Sequence, residues 1–387
     1  MSFSPKVHPL RSPPLAPHSV VRHCVTQGAS CRHAGYLLLT LAAVTLATCV
    51  WAGSISPILG TNAQEHLRAS LNLLNMSECD LGFDKDMAKP VWTLEWIRKL
   101  LNAPLGLPAV ADRLCELART NDAAALWPMA AELLEAGAAT STEAADAATN
   151  TTWPGVPEAL WPALTRFDSR ARQADALLAS AFQGLSAAER EYLAAAVLGG
   201  IFNAEDYASA RDALIGAGMR SQTVERVIAE GLDLNPEPAA TNFLALMQRV
   251  RMADLLAAGA ILQRAAAELG AEAGLLHEWP QSPVSIATPL GTVVVGSTND
   301  DSYSAPALLI LEPGGNDHFR GEAGVANGLQ GNPLAVIVDL AGDDHYQATG
   351  LLAAGTALFG ACVVLDAAGN DSYRAAYAGQ AAAVFGV

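Results

Sequence analysis

The first 64 residues contain no aspartate or glutamate, and residues 34–64 contain no charged side chain of either sign. Four basic residues precede this stretch: Lys6, Arg11, Arg22 and Arg32. A basic segment followed by an apolar, acid-free run is typical of an export signal or a single membrane anchor whose N-terminus stays inside. We therefore expect residues 1–60 to be a leader with a signal peptide or a membrane anchor. If the leader is not cleaved, residues 36–52 are expected to anchor the protein in the membrane. The rest of the chain is then expected to be extracytoplasmic, in the periplasm, on the cell surface or secreted.

Basic residues are scarce in the remainder of the chain. The whole sequence has 23 Lys and Arg against 39 Asp and Glu, a net charge of −16. From Ile286 to the last residue there is no lysine, and two arginines face ten acidic side chains. Such a surface repels phosphate backbones. Nucleic acid is therefore not an expected partner.

The sequence also lacks the short motifs of several enzyme and metal classes. It has no C-x-x-C pair, which excludes the common zinc and thiol redox signatures. It has no G-x-S-x-G elbow, H-E-x-x-H helix, Walker loop or dinucleotide fingerprint. We therefore assign no catalytic residue. Cys79 and Cys115 are a candidate disulfide in an oxidising compartment, and Cys362 is expected in a buried strand.

Two regions of different amino-acid composition follow the leader. Residues 61–280 are rich in alanine and leucine at helical spacing, and Ser186 with Glu189 forms a capping-box pattern ahead of an apolar run. After the linker that follows Pro280, residues 286–387 contain 15 of the 32 glycines and replace leucine-rich runs with short β-branched triplets. The sequence predicts a helical domain over 61–280 and a strand-rich repeat domain over 286–387.

The strand-rich region repeats with a strict period. Its three copies run from Leu309 to Phe319, from Ile337 to Tyr346 and from Val364 to Tyr373. Each copy has an apolar triplet, an acidic residue and a glycine turn that ends in Asp-x-aromatic, and successive copies are 27 residues apart. A shorter copy over residues 293–303 precedes them. Units this short bury their apolar face only by stacking on their neighbours. We therefore expect Val294, Ile310, Ile337 and Val364 to lie in parallel strands stacked in register, with their triplets lining one core.

The predicted fold class is α+β multidomain: an N-terminal signal or anchor helix, an all-α middle domain and a C-terminal parallel β-solenoid. The alternative for the last region is a strand-plus-helix solenoid, because the Ala-, Gly- and Leu-rich return segments, such as 347–361, also suit helices. The apolar pair Leu358-Phe359 recurs as Val384-Phe385 just before the sequence stops. The repeat pattern therefore also predicts that 286–387 is a truncated part of a longer array.

Stacking of the repeats aligns two rows of carboxylates. The first row is Glu312, Asp339 and Asp366, and the second is Asp317, Asp344 and Asp371. At the strand spacing of about 4.8 Å, neighbouring carboxylates repel by roughly 1 kcal/mol in water and about 3 kcal/mol at an effective dielectric of about 20. Calcium, which takes several oxygen ligands in flexible geometry, would offset this repulsion. The alternative is that each Asp accepts hydrogen bonds from its own turn amides. The metal hypothesis assigns all six residues as ligands.

The turn sequence carries two resemblances. Gly315-Asn316-Asp317-His318-Phe319 is similar to half of the calcium-binding nonapeptide of secreted β-roll proteins. The repeats also resemble the Asp-x-Gly-Gly-Asp-Asp-x-Tyr coils of a group of bacterial exported proteins, largely without assigned function. The resemblance covers about the last 100 residues. It implies a stacked fold and export, and it implies no activity.

Three functions remain open from the sequence. The first is an exported or membrane-anchored, non-enzymatic structural or binding protein with an acidic, calcium-binding repeat region and a cell-surface or polysaccharide partner. The second is a polysaccharide-processing enzyme that uses paired carboxylates such as Asp343 and Asp344. The third is a helical partner-binding module carried on a repeat stalk. Uniform acidic rows favour the first, because catalytic groups occur once and not in every coil.

Overall fold

The computed structural model describes residues 61–77, 94–102, 107, 110–112, 115–116, 123–139, 152–199, 207–229, 237–379 and 381–387. All of them belong to one compact unit. The predicted leader, including the apolar segment 36–52, lies outside these residues. No helix within the described ranges is long and apolar enough to cross a membrane.

Nine α-helices whose two ends both lie in the described part of the chain precede the first strand. They are α1 (Thr61–Leu73), α2 (Glu95–Asn102), α3 (Ala123–Leu133), α4 (Trp161–Phe182), α5 (Ala187–Gly199), α6 (Tyr207–Gly216), α7 (Ser221–Ala229), α8 (Glu237–Met247) and α9 (Met252–Ala273). A 3-10 turn, Glu158–Leu160, leads into α4. The predicted capping box is confirmed at α5, because the Ser186 amide donates to Glu189 Oε2 at 2.7 Å and the Glu189 amide donates to Ser186 Oγ at 3.3 Å.

Twelve short strands follow. They are β1 (Val284–Thr288), β2 (Gly291–Val295), β3 (Ser302–Tyr303), β4 (Leu309–Glu312), β5 (His318–Arg320), β6 (Val325–Asn327), β7 (Leu334–Asp339), β8 (His345–Ala348), β9 (Thr356–Leu358), β10 (Ala361–Asp366), β11 (Ser372–Ala375) and β12 (Ala383–Val384). They form three sheets with strand orders β1-β2-β4-β7-β10, β11-β8-β5-β3 and β12-β9-β6.

The repeat fixes the register of these sheets. Val294 pairs with Ile310, Ile310 with Ile337, and Ile337 with Val364, each across parallel strands. The predicted in-register parallel pairing of these four positions is therefore confirmed. Cys362 lies in β10 and is buried, as predicted. Cys115 is an exposed free thiol, and Cys79, its candidate partner, lies outside the described residues.

The predicted fold class is wrong. The twelve strands contain two to six residues each and form three small, mostly parallel sheets, with an antiparallel β1–β2 hairpin at one edge, and this is not a clear β-solenoid. The strand-plus-helix alternative is also wrong, because 347–361 holds the end of β8, turns and strand β9, and no helix. The sheets are not a separate stack either, since α9 packs against β7 and β10.

The apolar triplets explain why the helices are needed. Leu309 and Leu311 of β4 lie in one core with α4 and α9, whereas Ile310 between them lies in a second core with Tyr303 and Phe319. Alternate residues of a strand point to opposite faces, so a continuous apolar run marks a strand that is buried on both sides. We expected the triplets to line a single core. The helices instead cover the outer face of the five-stranded sheet, and this is what overturns the predicted separation of an all-α part from a self-contained stack.

Candidate metal site

Acidic residues lie where the chain passes from the five-stranded sheet to the four-stranded sheet. Strands β4, β7 and β10 end on Glu312, Asp339 and Asp366, which are in register across the sheet. A glycine turn follows, and Asp317, Asp344 and Asp371 come directly before strands β5, β8 and β11. Each turn therefore brings two carboxyl groups, five residues apart, into the space between two sheets.

The second row of carboxylates accepts hydrogen bonds from the preceding turn. The Asp301 amide donates to Asp317 Oδ1 at 2.5 Å, the Asp317 amide donates to Asp344 Oδ1 at 2.5 Å, and the Asp344 amide donates to Asp371 Oδ1 at 2.9 Å. One oxygen of each aspartate thus caps a neighbouring turn. The hydrogen-bonding alternative placed these acceptors on amides of the same turn, and the structure places them on the turn before.

An outer row of exposed side chains bonds in the opposite direction, since each accepts from a backbone amide of the following turn. The Asn316 amide donates to Asp300 Oδ1 at 2.8 Å, the Asp343 amide donates to Asn316 Oδ1 at 2.9 Å, and the Asn370 amide donates to Asp343 Oδ1 at 2.9 Å. We call Asp300, Asn316, Asp343 and Asn370 the outer row. Charged and neutral side chains alternate along it.

Tyrosine hydroxyls donate hydrogen bonds to the first row of carboxylates. Tyr346 donates to Asp339 Oδ2 at 2.7 Å, and Tyr373 donates to Asp366 Oδ2 at 2.5 Å, in each case within one repeat. The equivalent aromatic of the earlier repeat is Phe319, which has no hydroxyl. Glu312 instead accepts from Tyr303, which lies in the coil before it. The extra methylene of glutamate gives the carboxyl group the reach for this partner.

Burial raises the pKa of these carboxyl groups. Desolvation is the main cause in each case, and it raises the pKa of Glu312 to about 9, that of Asp339 to about 8 and that of Asp317 to about 7. Desolvation also raises the pKa of Asp344. Neighbouring carboxylates act in the same direction, so the region favours either bound protons or a bound cation.

Asp339 and Asp344 form a hydrogen-bonded pair of buried carboxyl groups. Asp339 Oδ1 and Asp344 Oδ2 are buried and have no other hydrogen-bond partner. Burial raises the pKa of both carboxyl groups, and a side-chain hydrogen bond between them raises that of Asp339 further. One proton between the two oxygens therefore meets the hydrogen-bonding need of both.

The carboxyl groups one turn earlier are arranged differently. Oxygen atoms of Asp301, Glu312 and Asp317 lie within 4.8 Å of one another. Glu312 already accepts from the Tyr303 hydroxyl and from the Gly314 amide. Asp317 is fully buried, and its Oδ2 has no hydrogen-bond partner. An oxygen left in this state costs about 1–3 kcal/mol unless something occupies the space beside it.

These three residues, which we call the acidic cluster, fit a hard divalent cation. All three offer carboxylate oxygens, the ligands that calcium and magnesium prefer. Within the described residues, this is the one group of three acidic, histidine or cysteine ligand atoms that close together. Of the six ligands predicted from the sequence, it includes Glu312 and Asp317. Asp339 and Asp344 form the proton-sharing pair, and Asp366 and Asp371 belong to the last turn.

Asp301 was missed as a ligand in the sequence, although a signal for it was present. It lies 16 residues before Asp317 in the shorter first copy and occupies the same place relative to its strand. A second signal sits in the aligned repeats. The one copy with Glu in place of Asp at the strand end, Glu312, is also the copy with Phe in place of Tyr, Phe319. This paired difference indicates a changed partner for that carboxyl group.

Replacement of Tyr303 by phenylalanine tests the partner exchange. We expect Tyr303→Phe to lower the free energy of unfolding by about 1–3 kcal/mol, because a buried carboxyl oxygen of Glu312 loses its donor. The measurement is urea unfolding at pH 7 in the presence of a chelator. Tyr303→Phe combined with Glu312→Met should lose less than Tyr303→Phe alone, since no buried carboxyl group is then left without its donor and the half-buried Gly314 amide can bond to water. A single variant as stable as the parent would contradict the assignment.

Comparison with known proteins finds no matching family model, no similar curated protein and no similar solved structure. The function is therefore inferred from the chemistry of the acidic cluster.

Proposed function

We propose that this is an exported, non-enzymatic structural or binding protein whose strand-rich region is stabilised by one divalent cation, calcium, held by Asp301, Glu312 and Asp317. The observation that carries the proposal is that Asp317 has a buried Oδ2 without a hydrogen-bond partner, on a carboxyl group that has an oxygen within 4.8 Å of oxygens of Asp301 and Glu312. Export is supported by the acid-free leader in the sequence.

A cation fits the acidic cluster better than a proton does. In the Asp339 and Asp344 pair, one proton links two oxygens that lack other partners. In the acidic cluster the Glu312 oxygens are both engaged by donors, so a proton on Glu312 leaves no equivalent link to Asp317. A divalent cation relieves the repulsion among all three carboxylates at once and gives Asp317 Oδ2 a ligand bond.

Calcium is the cation that the ligand chemistry favours. The cluster offers oxygen and no nitrogen or sulfur, which disfavours zinc and copper. Magnesium requires near-ideal octahedral geometry and gives up its water reluctantly, whereas calcium accepts six to eight oxygens in irregular arrangements. Extracellular calcium modules bind in the range of about 10⁻⁴–10⁻³ M, which suits an exported protein with a site of three carboxylates.

Burial argues against the polysaccharide-processing alternative. A glycosidase needs two carboxyl groups that flank a substrate in an open cleft. Asp339 and Asp344 are fully buried beneath the turns, and Glu312 and Asp317 are buried as well. Asp343 is exposed, but it accepts the Asn370 amide as part of the outer row. Two carboxyl groups five residues apart, like Asp339 and Asp344, also recur in successive turns, and such recurrence is typical of a structural role.

Calcium titration of the full chain tests the proposal. We expect calcium at about 10 mM to raise the Tm of the chelator-treated protein by a few degrees, since a ligand at about 10 to 100 times its Kd adds about 1.4 to 2.7 kcal/mol. The rise should disappear in Asp317→Asn and in Asp301→Asn, each of which removes a ligand charge. The matched control is Asp343→Asn on the outer row, which should respond to calcium like the parent.

Isothermal titration calorimetry then counts the ions. One calcium per chain is expected, because a single group of three ligands is present among the described residues. Three ions per chain would instead favour a site in every turn. No binding, with a Tm that is the same in chelator and in calcium, would remove calcium from the proposed function.

A further inference from the structure

A cleft of about 530 Å³ lies between helices α3 and α9, remote in sequence from the acidic cluster. One face of α9 lines it with small apolar side chains, among them Ala253, Ala257, Ala260 and Ala267. Positions three, four and seven residues apart fall on the same side of a helix, so these alanines form a continuous shallow floor. The floor covers 14 helical steps, or about 21 Å.

The opposite wall of the cleft comes from α3. Trp127 and Pro128 of that helix line it, together with Ala131. Trp127 lies close to α9 because Gly259 has no side chain, and a Cβ at that position would stand 2.5 Å from Trp127 Cη2. The walls and the floor formed by these residues are therefore apolar.

The polar side chains of the lining lie toward one end of the α9 floor. Arg264 is exposed and lines the cleft three residues before Ala267, with Gln263 beside it. The nearby carboxylates on α9 are used by α4: Glu268 pairs with Arg170 at 3.1 Å, and Glu272 pairs with Arg166. Among the described residues, Arg264 has no ion-pair or hydrogen-bond partner. Its charge is therefore available to a ligand in a chain whose net charge is −16.

We propose that this cleft binds a single-chain amphiphile with a carboxylate head, the class of long-chain fatty acids. The aliphatic chain lies along the alanine floor of α9 against Trp127, and the carboxylate pairs with the Arg264 guanidinium. An apolar groove takes the chain without a polar partner, and a guanidinium is the side chain that binds a carboxylate with two parallel hydrogen bonds. The acidic surface elsewhere directs an anionic head to this cation.

Calorimetric titration of the full chain with dodecanoate, and with dodecanol as the uncharged counterpart, tests both parts of the ligand. We expect dodecanoate to bind at one per chain and about 10- to 100-fold more tightly than dodecanol, the worth of a charge-assisted hydrogen bond. Lengthening the acid by one methylene should tighten binding about fourfold, the transfer value for a buried CH₂. Arg264→Gln should remove the preference for the acid and leave dodecanol binding unchanged.

Two further variants separate the cleft from nonspecific binding. Ala260→Leu fills the floor and should abolish binding of both ligands, with circular dichroism confirming that the helices remain. Arg374→Gln, at an exposed arginine on β11, is the matched control and should bind like the parent. The proposal is overturned by absent dodecanoate binding, by acid preference retained in Arg264→Gln, or by unchanged affinity in Ala260→Leu. Binding to phosphatidylglycerol vesicles without dodecanoate binding also overturns it, in favour of a membrane surface.

Discussion

Gly342→Ala should unfold the strand-rich region or weaken it by roughly 3–5 kcal/mol, the sum of backbone strain and overpacking. Gly342 has φ +154°, a conformation that residues with a side chain rarely adopt, and a Cβ there would lie 1.9 Å from the Gly315 carbonyl oxygen. The same contact recurs one turn later, where a Cβ on Gly369 would lie 1.7 Å from the Gly342 carbonyl oxygen. The turns approach one another through glycine faces, so neither partner can move away without disturbing the next turn.

Two other glycines make this a graded series, measured by urea unfolding. Gly331 has φ +84°, and no atom lies within 4 Å of the point that a Cβ would occupy, so Gly331→Ala isolates the conformational cost and should lose about 1–2 kcal/mol. Gly350 has free space and a φ outside the left-handed region. Gly350→Ala should therefore be neutral or gain about 0.4–1 kcal/mol through the unfolded chain. Equal losses at Gly342 and Gly331 would show that the close approach of turns is unimportant.

Asp339→Asn should stabilise the protein at pH 8 and flatten the pH dependence of its stability, with a chelator present. Burial raises the pKa of Asp339 to about 8, whereas the pKa of an aspartate in the unfolded chain is about 3.9. The folded state therefore holds a proton that the unfolded state releases as pH rises. The stability from this group is fully present below about pH 4 and is lost as pH rises through about 8. An asparagine amide reproduces the protonated form, because it donates toward Asp344 and accepts from the Tyr346 hydroxyl.

The slope of unfolding free energy against pH is the measurement. Each such proton contributes up to about 1.4 kcal/mol per pH unit between the two pKa values. Glu312 and Asp317 have raised pKa values and act with the same sign, so Asp339→Asn should remove one part of a steep decline and not all of it. Asp343→Asn, an exposed substitution on the outer row, is the control and should change the slope only slightly, through the small effect of its charge on Asp344. Stability that rises from pH 5 to pH 8 in the parent would contradict the protonated pair.

The sequence was sufficient for the register of the sheets and insufficient for their surroundings. A period of 27 residues requires equivalent positions to stack, and Ile310, Ile337 and Val364 pair accordingly. Whether one or both faces of a short apolar run are covered cannot be read from periodicity, since a continuous run suits a buried strand as well as a helix segment. The packing of α9 on β7 and β10 therefore emerged only from the structure.

The sequence predicted that the site is made of carboxyl groups, but it did not predict which residues form it. Repetition identified Glu312 and Asp317, but it treated every turn as equivalent. The turns differ because Phe319 lacks the hydroxyl that Tyr346 and Tyr373 provide, and this sends Glu312 to the Tyr303 hydroxyl. A contact between coils of unequal spacing is invisible to a strict period. The difference between the proposed cation site and the Asp339 and Asp344 pair thus depends on one methylene and one hydroxyl.

The alternation of the outer row has a consequence for how such a protein can grow by duplication. Asp300, Asn316, Asp343 and Asn370 each meet a neighbour of the other kind. Insertion of one 27-residue unit puts Asp beside Asp or Asn beside Asn, whereas insertion of two units keeps every carboxylate next to an amide. Two neighbouring carboxylates cost about 1 kcal/mol even in water. The favoured unit of duplication is therefore a pair of repeats, and lineages that gain or lose an odd number should carry a compensating exchange at this position.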